Sequence, residues 1–415
     1  MADLVLANAR LPDGRIADIT IRDGRVFHIG SSDSVSGAER IDCRRKLCVP
    51  AATDMHVHMR DGTQKAKEDW KTGTESAVAG GVATVVDQPN AVPAIDTAEI
   101  FASRVSLAAE QACCRFAING SLNDTADIPS LVEAGVLAFG EMFAAPSSYG
   151  SALSPETIAR VTKEAASFGK LITIHAEEVA PGEVHSLAEH AASRPASGET
   201  KTIALVNSLA PESAKLHYCH ISSTESFSAM REGSTFEVAP HHLFLSYENA
   251  RDAADTHMRM NPPLRTEAER KNLYAAFDKI SAIASDHAPH TLSEKSADFA
   301  SAPSGIPGVE TMLPLLMNEV HAGRLTLSSV LEKTVTNPNR ILGIESPALV
   351  KGARADFALY ADSPVSISAE NLHSKCGWTP YEGMQGLFPE LTVVSGVCAW
   401  RDGEFSRDGA CFLRG

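Results

Sequence analysis

At 415 residues the chain is too long for one ordinary hydrophobic core and suits a large α/β barrel with a small accessory domain. Its 37 basic and 52 acidic residues leave a formal charge of -15, which argues against nucleic acid as a partner, and 44% hydrophobic with 21% charged residues sets it well away from disordered chains. Eight scattered cysteines without a CxxC pair, an N-terminus "MADLVLANARLPDGR" without a signal-peptide pattern, and no apolar run of about 18 residues predict a cytoplasmic protein with reduced thiols and no membrane contact.

Residues 1–49 carry alternating runs and the turn "IRDGRVFHIG", the pattern of β-strands. From "LCVPAATDMHVHM" onward β-rich runs recur, mostly separated by helix-like stretches: "GVATVVDQPN", "CRFAINGSL", "GVLAFGEMF", "LITIHAEE", "KLHYCHISS", "TFEVAPHHLFL" and "ISAIASDHAPH". The segments between them, such as 64–80, 97–112, 155–169 and 200–213, are rich in Ala, Glu, Lys and Leu and predict amphipathic helices. Strands alternating with helices eight times predict a parallel (β/α)8 TIM barrel whose active site lies at the C-terminal strand ends. The polar, Gly/Pro-rich segment 291–308, "TLSEKSADFASAPSGIPG", is consistent with a mobile loop over the barrel mouth or with a plain connection. Beyond it, "KGARADFALYAD" and "LTVVSGVCAWRDGEF" return to the β pattern, so both chain ends are expected to pair into one small sandwich. The expected division is 1–49 and 346–415 for the β-sandwich and 50–345 for the barrel.

Each barrel run ends in a chemically capable group. His56 and His58 end the first, Asp87 and Asn90 the second, Glu141 the fourth, His175 the fifth, His220 the sixth, His241 and His242 the seventh, and Asp286 the eighth. Imidazole and carboxylate are the ligands that zinc and its relatives take, with a position left open for water at a catalytic site. One strand-end histidine is weak evidence, because most are hydrogen-bonded pocket residues. His56, His58, Glu141, His175, His220 and Asp286 converging on one rim from five strands point to a metal centre. Residues i and i+2 of a strand share a face, so Arg60 is expected to leave the strand end beside His56 and His58. His241 and His242 are adjacent, so on a strand at most one of them faces the pocket.

These same residues carry a resemblance. The order HxH, strand-four acid or lysine, His, His, Asp is that of the amidohydrolase superfamily. "DMHVHMRDG", "DQPNAVP", "ITIHAEE", "LHYCHISS", "EVAPHHLFL", "MNPPLR", "IASDHAPHT", "GIPGVETMLPL" and "SKCGWTPYEG" resemble stretches of long-chain dihydroorotases. One departure stands out: many relatives carry a carboxylated lysine at the end of strand four, whereas "AFGEMF" has Gly140 there and Glu141 beside it. No carboxylated lysine is expected, and Glu141 either ligates directly or orients a histidine.

The resemblance implies interconversion of N-carbamoyl-L-aspartate and L-dihydroorotate, a step of pyrimidine biosynthesis, with one or two Zn2+ ions that lower the pKa of a water. Asp286 would then be general acid/base as well as ligand. A guanidinium fork suits the substrate's carboxylate, so Arg60 is its expected partner, with Asn90 and His290 completing the pocket as the resemblance implies. Asn261 would meet the pyrimidine edge or simply begin the turn before two prolines, and backbone near Gly305 to Gly308 would touch substrate. The small-molecule substrate is the main partner implied, alongside self-association or docking to aspartate transcarbamoylase as some relatives do. Two readings compete: a hydantoinase or allantoinase, whose members typically lack the arginine after the second histidine, and an inactive homologue, which should have lost ligands.

Overall fold

The computed structural model describes residues 3–31, 37–144 and 152–415. Eight parallel strands form the barrel in chain order. Ala52–Val57, Val82–Asp87 and Arg115–Ile118 pair as one run, and Phe139–Phe143, Leu171–His175, Lys215–Tyr218, Thr235–Val238 and Ala282–Ile283 as a second. Parallel bridges from Gly120 to Phe139 and from Val57 to His287 join the two runs into a closed ring. The first two strands are buried along their whole length, as strands covered on both faces must be, which is why they read as unbroken apolar runs.

The helices between strands begin where their sequences offer caps. Asp69 accepts from Thr72 N at the head of Trp70–Ala79, Thr97 accepts from Ile100 N ahead of Ala98–Gln111, and Ser154 accepts from Thr157 N ahead of Pro155–Ser167. Trp70 is fully buried and lies 5.3 Å, ring to ring, from Phe116 on the third strand, so this first helix seals the barrel wall.

Two sheets flank the barrel. One orders Arg25–Gly30, Ile16–Arg22, Leu4–Arg10 and Glu39–Asp42; the other orders Glu404–Phe405, Val397–Arg401, Pro389–Val394, Phe357–Tyr360 and Cys48–Pro50. Leu6, Ile19 and Ile21 of the first meet Phe357, Leu359 and Val393 of the second in one apolar core, a sandwich built by both chain ends. The "IRDGRV" turn places Asp23 and Gly24 at positive φ, the backbone that a two-residue hairpin needs to match strand twist. Not all of the C-terminal part stays in the sandwich: residues near 365–388 run back to the barrel mouth, where Trp378 Nε1 donates to the His290 carbonyl at 2.7 Å. No helix among the described residues is long and apolar enough to cross a membrane.

The 291–308 segment is anchored by contacts of its own. It opens with a short helix, Leu292–Lys295, and the Lys295 side chain is buried, with Nζ donating to the carbonyls of Thr256, Arg259 and Pro303 at 2.9, 3.1 and 2.9 Å. One ammonium thereby ties the loop's two ends to the 256–259 turn, a long-range contact that composition cannot reveal. Lys295→Met keeps the length but leaves three carbonyls short of a donor, so it should destabilise the protein by about 3 kcal/mol. Thermal unfolding and limited proteolysis check this; an unchanged melt with 291–308 still protease-resistant would contradict it.

Candidate metal centre and active site

Only His56 of the first histidine pair lies within a strand, since that strand ends at Val57. His56 Nδ1 faces Glu237 Oε1 at 2.6 Å, which fixes Nδ1 as the protonated nitrogen and turns Nε2 toward the barrel mouth. Nε2 is buried without a hydrogen-bond partner, 3.7 Å from Glu141 Oε2 and 3.5 Å from Asp286 Oδ1. His58 Nε2 is 3.2 Å from the same Asp286 oxygen. Across the mouth, Glu141 Oε1 lies 2.7 Å from His175 Nδ1 and 2.8 Å from His220 Nε2. The Glu141 carboxylate therefore stands between two histidine pairs, one oxygen toward each.

That donor set fits divalent metal. Ligand atoms of His56, His58 and Glu141 lie within 4.8 Å of one another, as do those of Glu141, His175 and His220, and Glu141 is common to both groups. Burial raises the Glu141 pKa, but hydrogen bonds and charge from His175, His220 and His56 outweigh it and hold the carboxyl well below the usual range. Asp286 behaves alike: burial opposes ionisation, and His58, His56 and His220 overcome it. Gly140 gives a spatial reason for a glutamate rather than a lysine-borne carboxylate. Its φ is +100°, and a Cβ there would run into the Thr173 carbonyl, so no side chain fits at 140 on this backbone.

A second ring of carboxylates orients the histidines. Glu237 takes His56 with one oxygen and lies 3.1 Å from His217 Nε2 with the other; burial pushes its pKa up, yet these imidazoles pull it to about 2. Glu177 Oε2 lies 2.6 Å from His175 Nε2 and accepts from Arg194, and the arginine's charge, against burial, brings it to about 2. Neither glutamate stands out in the sequence as a site residue. Their only signal is a charge beside apolar residues, in "TFEV" and "ITIHAE", and its partner is visible only in three dimensions.

The adjoining cavity is lined by His58, Arg60, Asn90, Glu141, Phe143, His175, His220, Asn261, Asp286, Ala288, Ser304 and Gly305. Arg60 reaches it by a different route from the strand alternation expected, because Arg60 and Asp61 have φ of 53° and 56° and the chain has already left the strand. His220 and Asp286 also sit in left-handed backbone, at 34° and 48°, so three of the site's side chains are aimed by turns just past the strand ends. Asn90 Nδ2 is 3.4 Å from Glu141 Oε2, and Asn261 Oδ1 is 3.0 Å from His190 Nε2. His290 does not line the cavity. Its Nε2 faces the Ser304 carbonyl at 3.1 Å and its Nδ1 the Lys67 ammonium at 3.2 Å, so it braces the Ser304–Gly305 backbone that does.

His241 and His242 require a correction. The seventh strand stops at Val238, and Pro240 opens a short helix, Pro240–Phe244, that carries both residues. The strand argument for opposite faces therefore does not apply. His242 Nε2 meets the Pro262 carbonyl at 3.1 Å, and both histidines are fully buried, which lowers their pKa values.

Residues 47–404 match the amidohydrolase family. The chain is 36% identical to the dihydroorotase of Halobacterium salinarum, over 96% of this chain and 97% of that one, and 36% identical to the dihydroorotase of Methanosarcina acetivorans, over 97% and 93%. Among solved structures it resembles the L-hydantoinase (dihydropyrimidinase) of Arthrobacter aurescens with a TM-score of 0.90 and 25% identity across the full length of both.

If Glu237 fixes the His56 tautomer, Glu237→Gln should weaken metal retention about 10- to 100-fold while the fold persists. Competition against a chelator, read alongside circular dichroism, measures this; native-like affinity in the variant would remove Glu237 from the centre.

Proposed function

Since the chain belongs to the amidohydrolase family, in its dihydroorotase branch, we propose that it interconverts N-carbamoyl-L-aspartate and L-dihydroorotate at a two-zinc centre. The observation that carries this reading is one cavity with a carboxylate-centred histidine cluster on one wall and the Arg60 guanidinium on another. His56, His58 and Asp286 would hold one ion, His175 and His220 the other, and Glu141 would be shared. When bound, such ions polarise the ring carbonyl and lower the pKa of a water toward about 7.

The chain's own residues supply the rest. Asp286, kept ionised among His58, His56 and His220, takes the proton of the attacking water and hands it to the leaving ring nitrogen. In the ring-closing direction the same carboxylate takes the proton of the attacking carbamoyl nitrogen and returns it to the departing oxygen, which leaves as water. Arg60 holds the substrate's exocyclic carboxylate through its fork with the Asn90 amide beside it, and the Asn261 amide meets the pyrimidine edge. A site with a buried cation for that carboxylate disfavours hydantoin and allantoin, which lack it, on the order of 10⁴-fold.

An ultraviolet assay of dihydroorotate ring opening should show turnover that chelation abolishes and zinc restores, with hydantoin and allantoin near background. Preference for hydantoin would support the hydantoinase reading instead. Asp286→Asn should lower kcat at least about 10³-fold, by removing proton transfer together with one ligand. Elemental analysis should find two zinc ions per chain and no more than one in Glu141→Ala; two in the variant would show that Glu141 is not shared.

A further inference from the structure

Arg60 and Asp61 are consecutive non-glycine residues at positive φ, 53° and 56°, a backbone that L side chains rarely adopt. Asp61 N donates to the Glu68 carbonyl at 3.0 Å and Arg60 Nε to the Pro289 carbonyl at 3.4 Å, and a further set of contacts holds the turn from behind. On the helix Ala98–Gln111, the buried Arg104 donates from Nη2 to the Arg60 carbonyl at 2.6 Å, and its Nη1 would lie 3.6 Å from a Cβ at Gly62. Asp87, at the end of the second barrel strand, accepts from Met59 N at 2.7 Å and lies 3.5 Å from Arg104 Nη2. Gln111, at the far end of the same helix, donates to Asp61 Oδ2 at 3.3 Å. The Asp87–Arg104 pair therefore holds the Met59 N–H and the Arg60 carbonyl, and neither member lines the cavity.

We propose that Arg104 is a positioning residue for substrate recognition, fixing the left-handed turn that presents the Arg60 fork to the substrate's carboxylate. The idea rests on the reading of Arg60 given above. Arg104 touches no reacting atom, and its effect passes through one backbone carbonyl. Removing its guanidinium frees the turn to relax toward extended backbone and swings the Arg60 side chain away from the anion, while the histidine cluster across the cavity keeps its own supports in Glu237 and Glu177.

Steady-state kinetics of the zinc-loaded enzyme with dihydroorotate test this in a double-mutant cycle of Arg60→Gln and Arg104→Gln, with zinc content measured for each protein. Arg104→Gln should raise KM about tenfold, change kcat less than about threefold and leave zinc content intact. Added to Arg60→Gln, it should raise KM no further. Arg104→Lys keeps the charge beside Asp87 without the fork, so it should recover part of the loss; it also carries the cycle should Arg104→Gln fail to fold. Effects that multiply in the double variant, or a loss of kcat and zinc at constant KM, would overturn the proposal while leaving Arg60's role standing. An unchanged KM in Arg60→Gln itself would overturn both.

Discussion

A buried carboxylate needs compensation, and the site is organised around how Glu141 obtains it. Buried within the fourth strand, it has His175 and His220 on one oxygen and His56 nearest the other. Those imidazoles arrive from three different strands, so the closed barrel is what brings them within reach. Each of His56 and His175 is in turn held from behind by a glutamate, Glu237 or Glu177, whose own ionisation depends on the cation or imidazole it faces. The result is a nested set of charges in which a change at one layer is felt by the next.

The opposite wall is made by backbone geometry. The Arg60 turn, the Asp286 turn and the Ser304–Gly305 backbone all present groups to the cavity, and each is braced from outside it. Gly305 shows how little room this leaves, since a Cβ there would come within 2.6 Å of the Ala288 carbonyl. The C-terminal segment contributes from a distance: Ser374 binds the buried Glu68, and Trp378 holds the His290 carbonyl, so residues between the sandwich strands Phe357–Tyr360 and Pro389–Val394 also stabilise the mouth. A site whose groups are aimed by strained turns depends on these outside contacts for its precision.

Much of this was legible in the sequence. Periodicity predicts all eight strands and the intervening helices because buried parallel strands and capped helices leave distinct local patterns. The candidate ligands are visible because strand ends, where apolar runs stop, are where a barrel exposes its chemistry. Less visible was anything set by contacts between distant segments. Glu237 reads as a stray charge until His56, far away in sequence, is seen to meet it. Lys295 reads as a loop lysine until three carbonyls surround it. His241 and His242 read as strand residues because the propensity of "EVAPHHLFL" does not reveal that Pro240 starts a helix.

By itself, then, the sequence determined the barrel, the donor types and the absence of a lysine at position 140, because these follow from period, residue chemistry and identity. Tertiary structure decided how the donors divide, with Glu141 between two histidine pairs, and how Arg60 reaches the cavity through a left-handed turn. It also explained the glycine at 140, whose Cβ would strike the neighbouring strand. The reason is physical: a local pattern encodes which face a residue takes along its own strand, whereas a tautomer, a bridging carboxylate or a braced turn is fixed by atoms from another part of the chain.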